Sequence, residues 1–340
     1  MKNILCVLDL TENSHYTLER LPAIYRALEK FGKEIQVTFL DIYKFEELFG
    51  PYISCCLPNY KFIEYVQENK IATIFTSSEL FEFVSPDTID YLEKTGVVVS
   101  CVLGDDENNF SININYLGLL TIPIGYQKEE VGKYLLVNPN TYLLPIGVSF
   151  DNTEKYLGQT KMIDILFVGR PYSRRPHFIK FIEKNKINVS VYGSNKWRKY
   201  LSEKIYKGFL DNNDYYKKIS QAKLYLAMLE SPKCWERLHI NAKPFDAAKV
   251  GAALIVTKYE KFAESYNLIE GKDFFSYQSE IDLVQKIKFL LANDDIREEI
   301  SLNLRLKLKK YDYDQLYFEY FRNLISFETN ALPNVKLPRV

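Results

Sequence analysis

The stretch Tyr225-Leu-Ala-Met-Leu-Glu-Ser-Pro-Lys-Cys-Trp-Glu-Arg-Leu-His-Ile-Asn-Ala-Lys-Pro-Phe-Asp-Ala-Ala-Lys-Val-Gly-Ala-Ala-Leu-Ile-Val-Thr257 decides the architecture of this chain. It reads as strand, polar loop, short helix, glycine and buried strand. Ala222 to Ala227 and Ala252 to Thr257 are the strands, the second apolar almost throughout, as parallel strands covered on both faces are. The spacing predicts a helix over 241–250, with Pro244 near its start, where a missing N–H is tolerated. Gly251 ends it at the position that favours a left-handed cap. A helix that starts just beyond the carboxyl end of a parallel strand presents free N–H groups and a positive dipole end to an anion. His239, Asn241 and Lys243 crowd that start, and Asp246 lies one turn further in. A cation for phosphate and a carboxylate for hydroxyls at one helix mouth suit a nucleotide sugar; the plain alternative is a strand–helix–strand unit with a solvated face.

Asn241-Ala-Lys-Pro-Phe-Asp-Ala-Ala-Lys-Val-Gly-Ala-Ala-Leu-Ile255 resembles the Asn-x-(Arg/Lys)-x-Phe-Glu-Ala-x-Ala-x-Gly-Ala-x-Leu-Ile signature of GT-B glycosyltransferases, most closely the bacterial branch grouped with the CgeB-like spore-maturation proteins. The resemblance implies an α/β fold of two Rossmann-like parallel-sheet domains facing a central cleft. It also implies that Asp246, standing where the family has Glu, binds the donor ribose, and that Lys243 contacts the diphosphate. The likeness is strongest over 163–321 and thin before that.

The 340 residues suggest two domains of roughly 150 residues each. A hydrophobic content of 47% with 26% charged residues supports a large core. The 44 basic and 44 acidic residues cancel, which argues against a general electrostatic grip on nucleic acid. The 26 Tyr and 22 Phe are read as packing residues. Five cysteines (Cys6, Cys55, Cys56, Cys101, Cys234) lack metal or disulfide spacing, so a reducing, cytoplasmic setting is expected. No apolar run reaches the ~18 residues of a membrane span.

The chain opens as strand 3–8, an amphipathic helix from Leu18 to Phe31, and strand 35–40, without a dinucleotide glycine fingerprint. Helices over 58–69 and 86–94 alternate with strands over 71–75 and 97–103. Gly104-Asp105-Asp106-Glu107 then reads as a loop at a strand's carboxyl end, where open sheets place ligands, and it resembles an acidic pair of the CgeB-like proteins. Short strands are expected at 119–122, 135–137 and 142–144. Pro145-Ile-Gly-Val148 resembles the element closing the first GT-B domain. The expected division is 1–150 for an acceptor-side domain, 151–161 for a linker, 162–311 for a nucleotide-sugar domain, and 312–330 for a terminal helix crossing back.

Strand 163–168 runs into Gly169-Arg-Pro-Tyr-Ser-Arg-Arg175, where glycine admits a close backbone approach and arginine can hold an oxyanion with two bonds. Arg170, Arg174 and Arg175 are the candidates, with Arg170 and Arg174 assigned beside Lys243 to the diphosphate. Tyr192 and Gly193 follow strand 189–192 and resemble the family's Tyr-Gly element; with Gly169, His239, Asn241 and Asp246 they complete the expected donor site. The resemblance implies transfer of a sugar from a nucleoside diphosphate sugar, a UDP-sugar as first expectation, to a glycan, protein or small-molecule acceptor. No cofactor is expected, and no metal, since no Asp-x-Asp motif lies at a suitable strand end. An inverting reaction needs a base from the first domain; His15, Asp105 and Asp106 are the candidates. A GT-B-shaped binding protein without activity stays open as the second reading, and a sugar epimerase as a third.

Overall fold

The protein is described by a computed structural model at residues 1–10, 19–51, 58–104, 106–230 and 238–327. His15, Asp105, Cys55, Cys56 and Cys234, singled out above, lie outside the described residues. The chain divides into two units: Met1–Pro145 with the segment from Tyr313, and Ile146–Asp312.

The first unit is built on a six-stranded parallel sheet ordered β2-β1-β3-β4-β5-β6. The strands are Lys2–Leu8 (β1), Ile35–Asp41 (β2), Ile71–Ser77 (β3), Val98–Val102 (β4), Ile122–Gly125 (β5) and Tyr142–Leu143 (β6). The connecting helices are Leu21–Glu29 (α1), Phe45–Phe49 (α2), Tyr60–Glu68 (α3), Pro86–Lys94 (α4), Asp106–Leu117 (α5) and Lys128–Tyr134 (α6). Alternation along β1 fixes the layers. Leu5 and Val7 face a core shared with Phe45, Phe62, Ile89 and Leu92, whereas Ile4, Cys6 and Leu8 face Ile24 and Leu28 of α1. Burial pushes the thiols of Cys6 and Cys101 up, as expected for sulfur used as a small apolar group.

Three sequence expectations are corrected here. Asp106 and Glu107 do not lie in a loop, because Asp106 opens α5; the side chain of Asp106 lies outside the described set. Leu135-Leu-Val137 is not a strand: α6 occupies 128–134 and the three residues form the turn after it, with Leu136 87% exposed. An apolar triplet mimicked a strand although its side chains meet no core. Because α5 extends to Leu117, β5 starts at Ile122 and not at 119.

The second unit carries a five-stranded parallel sheet ordered β11-β10-β9-β7-β8. Its strands are Ile163–Val168 (β7), Val189–Tyr192 (β8), Ala222–Ala227 (β9), Ala253–Thr257 (β10) and Phe275–Tyr277 (β11). Its helices are Arg175–Lys184 (α7), Asn212–Ser220 (α8), Lys243–Val250 (α9), Glu260–Tyr266 (α10), Glu280–Ala292 (α11) and Asp294–Leu308 (α12). One face packs Ile165, Phe167, Leu224, Leu226 and Ile255 against Phe178, Ile179 and Ile182 of α7 and Leu283 and Ile287 of α11. Helices α8, α9 and α12 pack together. Ser279 caps α11 by accepting the Asp282 N–H at 3.2 Å.

The last helix, Tyr313–Ser326 (α13), packs in the first unit. Tyr313, Tyr317, Tyr320 and Phe321 are buried with Phe75, Val102 and Ile124, so its aromatic stripe is core of that unit. Arg26 on α1 grips Asp314 with two bonds of 2.6 and 3.0 Å, and the Lys2 ammonium donates to the carbonyl of Ile325. No helix among the described residues is long and apolar enough to cross a membrane.

Candidate nucleotide-sugar site

The second unit gathers most of the expected site at the carboxyl ends of β7, β8 and β9. Gly169 follows β7 and Gly193 follows β8, and the two backbones touch. Gly193 has φ +131, and a Cβ there would lie 2.2 Å from the Gly169 carbonyl oxygen. The Gly169 N–H donates to the Tyr192 carbonyl (3.0 Å), and its own carbonyl accepts from the Trp197 indole (2.8 Å). These glycines therefore join two strand-end loops, a role the sequence reading did not give them.

The arginines separate by helical register. Arg170 is exposed. Arg174 pairs with Glu280 at 2.7 Å. Arg175 is 2% exposed. Its Nη2 donates to the Met228 carbonyl at 2.8 Å, its Nη1 reaches the Arg170 carbonyl at 3.4 Å, and its guanidinium lies 3.7 Å from the Tyr172 ring centroid. Its Nε has no partner, and no carboxylate among the described residues lies within ion-pair distance. Burial accordingly lowers its affinity for its proton. The assignment to Arg170 and Arg174 passed over the residue that is buried. Arg175 shares the inward stripe of Phe178, Ile179 and Ile182, spaced i, i+3, i+4 and i+7, and that spacing was the available signal.

At the start of α9, the Asn241 side chain accepts the Lys243 N–H at 3.1 Å, so that amide, expected to serve an anion, is already used. The Lys243 ammonium donates to the Val168 carbonyl at 2.5 Å. Its pKa is pushed down to about 8 by burial first and by the charge of Arg175 second, with Asp246 opposing. Two cations thus stand at neighbouring strand ends, oriented by backbone carbonyls that do not neutralise them. The backbone N–H of His239 bonds the Leu229 carbonyl at 3.0 Å, which fixes the approach to the helix. Gly251 ends the helix at φ 66, in the left-handed region.

Asp246 is not the surface carboxylate that the sequence suggested. It is 1% exposed, and its two oxygens accept from the hydroxyls of Tyr215 (2.7 Å) and Tyr216 (3.1 Å) on α8. The two tyrosines come from a helix about thirty residues upstream, and no local pattern announced them. Asp246→Ala should therefore cost about 2–4 kcal/mol of stability, since two buried hydroxyls lose a charged acceptor. Asp246→Asn should cost less, and urea denaturation of both variants measures the difference.

Two cavities lie at the strand ends of this unit. One, of about 750 Å³, is lined by Arg170, Tyr172, Ser194, Asn195, Lys196 and Phe209 beside β7 and β8. Phe209 is 70% exposed there, a large apolar face the sequence reading left unassigned. The other, of about 540 Å³, lies at the ends of β9, β10 and β11 and includes Arg174, Glu230, Thr257, Tyr259 and Tyr277. Among the described residues no cluster of three His, Cys, Asp or Glu side chains is placed to hold a metal ion.

Comparison with known proteins adds a family-model match over part of the chain and a fold. Residues 174–320 match the family model described as glycosyl transferase-like. No curated protein sequence matches the chain. Among solved structures it is similar to sucrose-phosphate synthase from Thermosynechococcus elongatus, with 12% identity over 95% of this chain and 99% of that one and a TM-score of 0.67. It is similar to HepE from Anabaena, solved in complex with UDP and glucose, with 11% identity, coverage of 96% and 100% and a TM-score of 0.66. A glycosyltransferase from Rickettsia africae gives 12% identity, coverage of 95% and 97% and a TM-score of 0.66. At such identities the likeness is one of fold: two parallel-sheet α/β domains of the GT-B glycosyltransferase type.

Proposed function

We propose that the protein is a glycosyltransferase that takes a sugar from a nucleoside diphosphate, and that the second unit holds the donor. The observation that carries this reading is the pair Arg175 and Lys243: two cations, one fully buried, held by carbonyls at the ends of β9 and β7. Among the described residues Glu230 acts on Arg175 only from beyond ion-pair contact, and a doubly charged diphosphate supplies the direct counter-charge. In transfer, the anomeric C–O bond to the diphosphate breaks as the acceptor oxygen bonds to that carbon, and the acceptor's proton passes to a base. Negative charge grows on the departing phosphate, where preorganised cations stabilise it most, without need of a metal. Arg170 at the rim, with Tyr192, Gly193 and His239 framing the loops, completes the donor side. Asp246 acts on the ribose through or beside Tyr215. The base fits the cavity under Phe209. UDP is the first candidate, since HepE was solved with UDP. The signature over 241–255 favours the CgeB-like branch, and a bacterial, cytoplasmic enzyme is the corresponding expectation.

The test is thermal stabilisation by UDP, GDP, CDP, ADP and dTDP. One diphosphate at a hundredfold excess over Kd should add about 2.7 kcal/mol. Lys243→Ala should lose about 10–100-fold in affinity for it. The pH profile supplies a sharper signature. Below pH 8 Lys243 is charged in the free protein and attracts the diphosphate; as pH rises through about 8 the charge is lost and affinity should fall. Lys243→Ala should flatten that break. An affinity independent of pH between 7 and 9 in the wild type would remove Lys243 from the phosphate site.

A second reading is favoured by the tyrosine-satisfied carboxylate of Asp246: a GT-B-fold protein that binds the nucleotide without transferring the sugar. Hydrolysis or transfer of the matching nucleotide sugar separates the two.

A further inference from the structure

We infer that Glu230 recognises the hydroxyls of the glycosyl group, in the cavity at the ends of β9, β10 and β11, and that this group is a neutral sugar. The inference rests on the nucleotide-sugar reading above. Glu230 lies two residues beyond Met228, whose carbonyl holds Arg175, so the carboxylate and the diphosphate cation share one strand end. Arg175 is bonded towards Arg170 on one side and Met228 on the other; Arg170 lines one cavity, and Glu230, two residues beyond Met228, lines the other. A nucleoside diphosphate sugar has the same order: base, phosphates, sugar. With the exposed Phe209 ring marking the base side, the sugar falls to the side of Glu230.

The carboxylate is only half satisfied. Glu230 is 5% exposed. Its Oε1 accepts from the Thr257 hydroxyl at 3.4 Å, and that hydroxyl is in turn 3.0 Å from the Tyr277 hydroxyl and accepts the Leu229 N–H at 3.2 Å. Its Oε2 has no hydrogen-bond partner among the described residues. Buried acceptors are rarely left so, and a ligand donor is one answer to the deficit. Of the three cations that line the same cavity, Arg174 pairs with Glu280 at 2.7 Å and Lys258 with Glu260 at 3.8 Å, and Lys261 is not free either. What the cavity still lacks is therefore a hydrogen-bond donor and not an anion. Its volume of about 540 Å³ is ample for one hexose ring, and Tyr277, Phe178 and Tyr259 give it apolar walls. Hydroxyl donors with apolar ring faces are what a sugar presents.

The experiment is calorimetric titration of wild type and Glu230→Gln with UDP, GDP, CDP, ADP and dTDP, and with UDP-glucose, UDP-N-acetylglucosamine, UDP-glucuronate, GDP-mannose and ADP-glucose. Glutamine keeps the shape and removes the charge. The expected result is a loss of about tenfold for the neutral nucleotide sugar with the matching free diphosphate unchanged within about twofold, the difference being the charged hydrogen bond. Retained diphosphate binding also shows that the variant is folded; if the Gln variant does not fold, Thr257→Ser and Tyr277→Phe probe the same cavity by the same ratio. Equal losses for diphosphate and nucleotide sugar, no loss for either, or preferred binding of the glucuronate would overturn the inference while the donor-site reading stands. If no diphosphate binds the wild type, both fall together.

Discussion

Replacing Arg175 with methionine should give a protein that melts no lower than the wild type yet binds its nucleoside diphosphate about a hundredfold more weakly. Binding weakens because a guanidinium can hold a phosphate with two charge-assisted bonds. Stability holds because the free protein keeps that guanidinium buried and lowered in proton affinity, held by the Met228 carbonyl and the Tyr172 ring with no carboxylate in direct contact among the described residues. Removing a buried charge that no carboxylate contacts directly relieves desolvation that roughly matches the lost bond to Met228, the lost stacking on Tyr172 and the lost attraction of Glu230. Methionine fills much of the same volume, so no large cavity opens. Melting curves with and without the diphosphate, and one titration, check it. A variant that melts well below the wild type and binds normally would make Arg175 a structural residue.

Gly193→Ala should be the most damaging single methyl in the second unit. The added Cβ would meet the Gly169 carbonyl oxygen at 2.2 Å and its carbonyl carbon at 3.0 Å, and both are backbone atoms that cannot swing aside. The residue also sits at φ +131, which side chains rarely adopt. Strain and overlap together should remove about 4 kcal/mol or more, enough to deplete the folded protein. Gly208→Ala is the control: it has φ +100 but open space around its Cβ, so it suffers strain alone and should lose about 1–2 kcal/mol. Equal losses in the two variants would show that contact between the strand-end loops is unimportant.

Elements that write their environment into consecutive residues were readable from the sequence. Strands β7, β8 and β9 are short apolar runs bounded by glycine or polar residues, and their bounds agree with the structure. Helix α4 declares itself through Ser85, which accepts the Thr88 N–H, and Pro86 behind it. What failed was whatever depends on a partner far along the chain. Asp246 looked like a solvated helix-mouth carboxylate because nothing nearby says that Tyr215 and Tyr216 lie against it. Arg174 and Arg175 differ by one position, which on a helix is a rotation of about 100° and the difference between a surface ion pair and a buried cation. Leu135-Leu-Val137 misled in the opposite direction: apolar residues satisfy a strand pattern even where the fold leaves them in water. Glu230 is invisible to pattern, because an incomplete set of hydrogen bonds exists only once Thr257 and Tyr277 have arrived from other strands.

The placement of α13 bears on the order of events during synthesis. The first unit is interrupted by the second, so Tyr313, Tyr317, Tyr320 and Phe321, which cover Phe75, Val102 and Ile124, are made only after all of Ile146–Asp312. The second unit, continuous from Ile146 to Asp312, is complete before the first one is. Until then one face of the β1–β5 sheet lacks its final cover, and closing it joins segments about two hundred or more residues apart, a slow step by its loop entropy. The nascent chain therefore carries an unfinished apolar surface on its first unit while the second is being made, with α1 covering part of it among the described residues.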